Sequence, residues 1–222
     1  QAIASALLSF GEPALTALLE AAVSEEASCR AGAVRGLCAF PADQSVEPLL
    51  ALLADDDDGV SQAAQSALAG FAAEAVEPVA ALMGSEDARE RRLASSTLVL
   101  IGEAAVPALT SRLTASEPRV REASAWALGS LEWEPAAPDL AALLGDEEPS
   151  VRIASIQALR SIGSTDALAW LVGSLSDTVP EVTSAASEAV GSFGSRALGP
   201  LLAALTDAAG NVVPGVADAL VA

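Results

Sequence analysis

The chain has 222 residues, 52% of them apolar and 3% aromatic, and its 11 cationic side chains, all Arg, face 30 acidic ones for a net charge of −19. So acidic a surface repels phosphate backbones and anionic headgroups, which argues against nucleic acid over any large area and against docking on membranes; no run of about 18 uninterrupted apolar residues offers a membrane span. With no His and no Lys there is no imidazole base, no His metal ligand, no Ser-His-Asp or Cys-His arrangement, no Schiff-base amine and no P-loop lysine, so we expect no enzyme, no cofactor and no bound metal.

From the N-terminus the pattern starts in mid-motif. Residues 1–11 read as a single amphipathic helix, a partial repeat, with Ile3, Leu7 and Leu8 apolar and Gly11 as its stop. Leu7 opens a series: Leu37, Leu68, Leu98, Leu128, Leu159, Val190 and Leu220 follow at intervals of 30 or 31 residues. A fixed period of this length marks a repeat array in which each copy buries its apolar face against its neighbours. Each repeat reads as two helices. The first is carried by segments such as VEPLLALLADD, AVPALTSRLTAS, APDLAALLGDEE and LGPLLAALTDA. A proline stands near its start (Pro48, Pro78, Pro107, Pro138, Pro200), with leucines behind it (Leu50, Leu109, Leu140, Leu171, Leu202). Proline is tolerated in a first helical turn, where its missing N–H has no partner to lose. The second helix is carried by PRVREASAWALGSL, PSVRIASIQALRSIG and PEVTSAASEAVGSFG and stops at Gly102, Gly163 or Gly194. Small residues precede the anchor (Ala67, Thr97, Ala127, Ala158, Ala189), and apolar ones lie three beyond it (Phe40, Phe71, Ile101, Leu131, Ile162, Phe193).

Other features fall into this frame. Cys29 and Cys38 share one second helix, roughly 13 Å apart along its axis, too far for a disulfide; free thiols imply a reducing compartment, and we expect a cytoplasmic protein. DDDD at 55–58 falls in the turn between two helices and reads as a solvated, self-repelling turn that favours the next helix N-terminus. The last repeat, about 195–222, is degenerate, with Pro214 inside its second helix.

At the copies of GEAAVPAL and EPRVREASAWALGSL the chain resembles the HEAT-repeat family, especially the short bacterial and archaeal type seen in phycobilisome-lyase-like subunits. The likeness covers essentially all 222 residues. It implies an all-α, right-handed α-solenoid of about seven helical hairpins in one array over 1–222. From the mid-pattern start and the half-repeats at both ends we expect a fragment of, or a stretch continuous with, a longer chain. First helices would line the convex face and second helices the concave one. The usual role would be a non-catalytic scaffold for a protein or peptide; the alternatives are a bilin-lyase-like or regulatory subunit and a structural spacer. Such repeats carry an Asp and an Arg that link neighbours, and here the Arg column reads Arg30, Ser61, Arg91, Arg121, Arg152, Thr183, Val213.

A helical wheel places the position two before the anchor 200° from it, on the side away from the core. That column reads Arg35, Ser66, Ser96, Trp126, Gln157, Glu188, Asp218, so Trp126 should face outward. Columns nine and six before the anchor add Arg89 and Arg92, Arg119 and Glu122, and Ile153. Residues 86–126 hold six Arg and six acids, so this window is neutral and the whole net charge lies outside it. Trp and Arg dominate interface hot spots. Trp126, Arg89, Arg92, Arg119, Glu122, Ile153 and Gln157 are therefore the candidate partner-binding set, expected to hold an acidic or amphipathic segment; a rival mode holds a basic partner on the acidic flanks, and Trp126 resting on Arg92 or Arg119 is the non-binding alternative. Trp133 reads as a loop residue and Trp170 as taking the slot of Leu49 and Leu201. The apolar, uncapped terminal repeats allow end-to-end association.

Overall fold

The computed structural model describes residues 2–207, which form helices and turns. Val213, Pro214, Asp218 and Leu220 lie outside the described residues, as does the side chain of Ile3. In chain order the helices are α1 (Ala2–Phe10), α2 (Glu12–Ala22), α3 (Ala27–Leu37), α4 (Ala42–Ala51), α5 (Asp58–Gly70), α6 (Ala73–Ala81), α7 (Ala88–Ile101), α8 (Val106–Arg112), α9 (Pro118–Ser130), α10 (Ala137–Ala142), α11 (Pro149–Ile162), α12 (Thr165–Gly173), α13 (Pro180–Gly191) and α14 (Leu198–Asp207). Odd-numbered helices are the second helices of their repeats, α1 included. The chain divides into two compact units, Gln1–Ala108 and Leu109–Ala222. In the first, α3, α5 and α7 pack in succession and α4 lies on α6; in the second, α9, α11 and α13 form one layer and α10, α12 and α14 the other.

The anchors make the core between the layers. Leu37, Leu68, Leu98, Leu128, Leu159 and Val190 are all 0% exposed, and truncating such a leucine to Ala costs about 2–5 kcal/mol. The small residues before them, Ala67, Thr97, Ala127, Ala158 and Ala189, are buried as well.

The first helices differ from the sequence expectation in register. Their buried column is Leu49, Val79, Leu109, Leu140, Leu171 and Leu201. Leu50 is only half-buried and Leu202 is exposed, because a shift of one residue rotates a side chain by about 100°. Trp170 consequently stands one place before the buried column, where Pro48, Pro78 and Pro200 stand, and it is half-exposed. The prolines differ too. Pro48 and Pro78 lie inside α4 and α6, not in a first turn. Pro107, Pro138 and Pro200 fall in the first turn of α8, α10 and α14, each entered from a 3-10 turn (Gly102–Ala105, Glu134–Ala136, Gly194–Ala197). A ring that cannot donate to the carbonyl four residues back leaves the chain either to carry that gap or to change helix type beside it.

Second helices stop through backbone conformation. Gly11, Gly102, Gly163 and Gly194, each four beyond its anchor, have φ between 56° and 80°. Ala72 and Glu132 occupy the same column with φ 47° and 50°, positive-φ backbone that costs a residue with a Cβ about 1–3 kcal/mol. The stretch Ala88–Arg112 is long and apolar enough on composition to cross a membrane, with a mean hydropathy of 1.5 over its most apolar window. It is α7 and α8 joined through Gly102, whose φ of 80° and ψ of −139° end the first helix, and Ala94, Leu98, Ala105, Val106 and Leu109 within it are buried.

Candidate functional site

Most of the arginines whose contacts are described hold the scaffold together. Arg30, Arg121 and Arg152 occupy one position of their second helices and act alike. Nη1 donates to two carbonyls of the preceding turn, Ser24 and Glu25 for Arg30, Ala115 and Ser116 for Arg121, Asp146 and Glu147 for Arg152. Nε and Nη2 reach into the next repeat and grip the carboxylates of Asp55, Asp146 and Asp177 at 2.6–3.0 Å, a bidentate geometry. Each of these aspartates also accepts an N–H two residues on, from Asp57, Glu148 and Val179, which turns the chain toward the following helix. The Arg30 and Arg121 guanidinium groups hold Asp55 and Asp146 below the usual carboxylate range. At Asp177 burial pushes upward, but the hydrogen bonds from Arg152 and the Val179 N–H outweigh it and this carboxyl lies low as well. Arg91 clamps its own turn through the Ser85 and Glu86 carbonyls, while Ser61 and Thr183 close theirs with a hydroxyl.

The aspartate run divides. Asp56, Asp57 and Asp58 are exposed, and Asp57 caps α5 by accepting from the Val60 N–H, as a solvated turn before a helix N-terminus should; Asp58 also pairs with Arg89 at 3.0 Å, and Asp55 departs from the expectation, gripped by Arg30. Among the described residues no three His, Cys, Asp or Glu side chains gather as a metal site would require. Within the neutral window of residues 86–126 arginines are engaged in the scaffold. Arg89 donates to Asp58 and to the Asp55 carbonyl, and Arg121 is buried on Asp146. Arg92 is exposed on α7.

Of the candidate set, Arg89 and Arg92 belong to the first unit; Arg119, Glu122, Trp126, Ile153 and Gln157 belong to the second. Trp126 is 42% exposed on α9. It walls an open depression of about 260 Å³ whose other lining residues are Gly129, Ser130, Gln157, Ala158, Arg160 and Ser161. The floor is nearly bare backbone: a Cβ placed on Gly129 would stand 2.5 Å from Ala158 Cα and 2.6 Å from its Cβ, so α9 and α11 approach as closely as they do only because residue 129 has no side chain. Glu122, one turn before Trp126 on the same helix face, is half-exposed, as are Ile153 on α11 and Arg119 in the first turn of α9. At the far rim Arg160 meets Glu188 of α13 at 2.7 Å, both exposed. Among the described residues the cation–π contact is Arg196 over Phe193, 5.2 Å from the centroid, and Trp126 takes part in none. Trp133 sits in the turn after α9.

The wheel missed Ser130, Ser161 and Arg160. The signal was present, because the position two beyond the anchor lies only about 40° from the position two before it, and Ser130 and Ser161 occupy it. A second exposed set stands elsewhere in the first unit: Leu8, Phe10, Leu19 and Val23, at 40–83% exposure, on and just after α1 and α2.

A model of HEAT repeats matches residues 12–99, 76–160 and 137–220. No curated protein matches the chain. Among solved structures it is similar to an engineered protein at 23% identity, covering 82% of this chain and 97% of that one with a TM-score of 0.43. It is similar to human deoxyhypusine hydroxylase in complex with glycerol at 20% identity, 86% and 88% coverage and a TM-score of 0.45. A designed armadillo repeat protein in complex with the peptide (KR)4 is similar at 20% identity, 81% and 99% coverage and a TM-score of 0.46. With hairpins of one period from end to end of the described residues and matches that run from residue 12 to residue 220, the chain belongs to the HEAT-repeat family.

Proposed function

We propose that the protein is a non-catalytic interaction scaffold that holds a peptide or protein partner on the exposed face of its second helices, anchored at Trp126. The observation that carries this reading is a 42% exposed indole standing over a backbone floor in an open depression. An aromatic ring presented beside hydrogen-bonding side chains is what a docking anchor needs, apolar area together with orientation. Gln157, Ser130 and Ser161 supply the orientation, and Glu122, Ile153 and Arg119 extend the same face. A pull-down from the source cell, with the full chain and its Trp126→Ala variant as baits, tests it. A partner held by the first and lost by the second, at unchanged helicity, supports the site; equal capture by both sinks it.

A second contact is favoured by Leu8, Phe10, Leu19 and Val23, which expose apolar surface together on α1 and α2. We assign to this edge end-on association with another copy. Sedimentation velocity across a concentration series should show an oligomer that Phe10→Ser with Leu19→Ser removes; a strictly monomeric parent chain rejects it.

A further inference from the structure

We infer that the partner presents a basic segment, and that an Arg or Lys side chain of it lies on the Trp126 ring with its charge against Glu122. This rests on the docking reading above and adds the chemistry of the ligand. The committed arginines are the first argument. Arg30, Arg121 and Arg152 grip Asp55, Asp146 and Asp177, Arg91 is wrapped in its own turn, Arg89 holds Asp58, Arg160 holds Glu188, and Arg196 donates to the Gly163 carbonyl. Arg30, Arg121 and Arg152 commit all three nitrogens and Arg89, Arg91, Arg160 and Arg196 one each, so an acidic ligand at these residues would compete with acceptors of the scaffold; Arg35 and Arg92, which are exposed, belong to the first unit, not to that of Trp126. An acidic ligand would also approach a chain of net charge −19, which slows anions and steers cations inward.

The second argument is local. Glu122 is half-exposed and has no hydrogen bond or ion pair among the described residues. At four residues before Trp126 in α9 it stands on the same face, about 5–6 Å away between Cβ atoms. A flat guanidinium or an ammonium over the indole gains from the ring quadrupole and meets the Glu122 carboxylate on the same helix face. The remaining lining of the depression, Ser130, Ser161 and Gln157, is neutral and accepts or donates as the peptide backbone requires. Arg160, the cation that lines the depression, is neutralised by Glu188 at 2.7 Å.

The test uses the full-length chain and fluorescence anisotropy with three labelled octapeptides: octa-arginine, octa-glutamate and octa-proline. Octa-arginine should bind, more weakly as salt rises. Trp126→Gln, chosen to keep a polar surface, should weaken it about tenfold or more, and Glu122→Gln several-fold. Asp139→Asn removes the same charge from the exposed face of α10 and should change affinity by less than about twofold, since a diffuse field weighs every exposed acid alike. Equal effects of Glu122→Gln and Asp139→Asn, with none from Trp126→Gln, mean field attraction alone and overturn the proposal. Binding of octa-glutamate or octa-proline that needs Trp126 overturns the basic chemistry and leaves the docking reading standing. No binding of octa-arginine at low salt also overturns it, while a partner captured through Trp126 would still uphold that reading.

Discussion

Adding one methyl group at Gly129 tests how α9 and α11 are held together. In Gly129→Ala the new Cβ would lie 2.5 Å from Ala158 Cα and 2.6 Å from Ala158 Cβ, where carbon atoms normally approach no closer than about 3.5 Å. Neither neighbour is the movable end of a side chain, so the two helices must part by about 1 Å. Residues on both sides of the contact, Ala127, Leu128, Ala158 and Leu159, are at most 2% exposed, and their packing would loosen with it. Overpacking of this kind costs about 1–3 kcal/mol. Gly191→Ala is the matched control: it occupies the same column one position beyond its anchor, in the same unit, and its Cβ would meet nothing within 4 Å. There Ala should be neutral or gain up to about 1 kcal/mol from helix propensity.

The tryptophans provide the assay. Trp126, Trp133 and Trp170 all lie within Leu109–Ala222, so their fluorescence follows that unit alone while circular dichroism follows both. Urea titration by fluorescence should show the Gly129→Ala midpoint falling and that of Gly191→Ala holding or rising. Adding Ala158→Gly removes the Cβ contact but leaves the Cα one, so the double variant should recover part of the loss and show a coupling of about 0.5–3 kcal/mol. Indistinguishable midpoints for Gly129→Ala and Gly191→Ala would refute the claim that close backbone approach sets the helix spacing, and with it the account of the depression's floor.

Arg121→Ala strands Asp146, whose side chain is 7% exposed, and should lower the fluorescence-detected stability by about 2–4 kcal/mol; Arg160→Ala, at an exposed pair, should cost at most about 1 kcal/mol. Asp55, Asp146 and Asp177 are held low in the folded chain, so below their unfolded value of about 3.9 the unfolded state binds more protons. Their contribution is therefore complete above about pH 4 and disappears as the pH falls through the folded values; acid titration should show the loss there, with a shallower slope in Asp146→Asn. Glu132→Gly relieves a φ of 50° at the cost of glycine's freedom in the unfolded chain and should stabilise the second unit by up to about 1 kcal/mol, read as a higher urea midpoint.

The repeat was legible because burial at the anchors is dictated by periodicity alone: a leucine every 30 or 31 residues can be counted without knowing any contact, and those described in full beyond the first are 0% exposed. The first-helix column was less legible for a physical reason. Leu49 and Leu50, or Leu201 and Leu202, are adjacent leucines; hydrophobicity does not distinguish them, and only the angle at which the helix meets its neighbours does. The prolines misled similarly, since one residue type in one column is compatible with a continuous helix at Pro48 and with a 3-10 entry at Pro138. Trp126 could be placed outward from the wheel, but the depression beside it could not be foreseen. It arises from Gly129, which in sequence looks like any helix-terminal glycine and which in space admits another backbone.

Charge was the property that sequence reading handled least well, because a count of arginines does not say what they hold. Residues 86–126 hold six Arg and six acids and are neutral by count. In the folded chain Arg91 is turned into its own loop, Arg121 is buried on an aspartate and Arg89 holds the start of α5. A guanidinium with its N–H groups already facing acceptors still contributes to the net charge, but it offers a ligand few directed bonds. Among the acids, Asp55, Asp146 and Asp177 close the ladder, while Glu122 stands half-exposed on α9. At the proposed site it is Trp126 and Glu122, four residues apart on one face of α9, that would give a basic ligand its place.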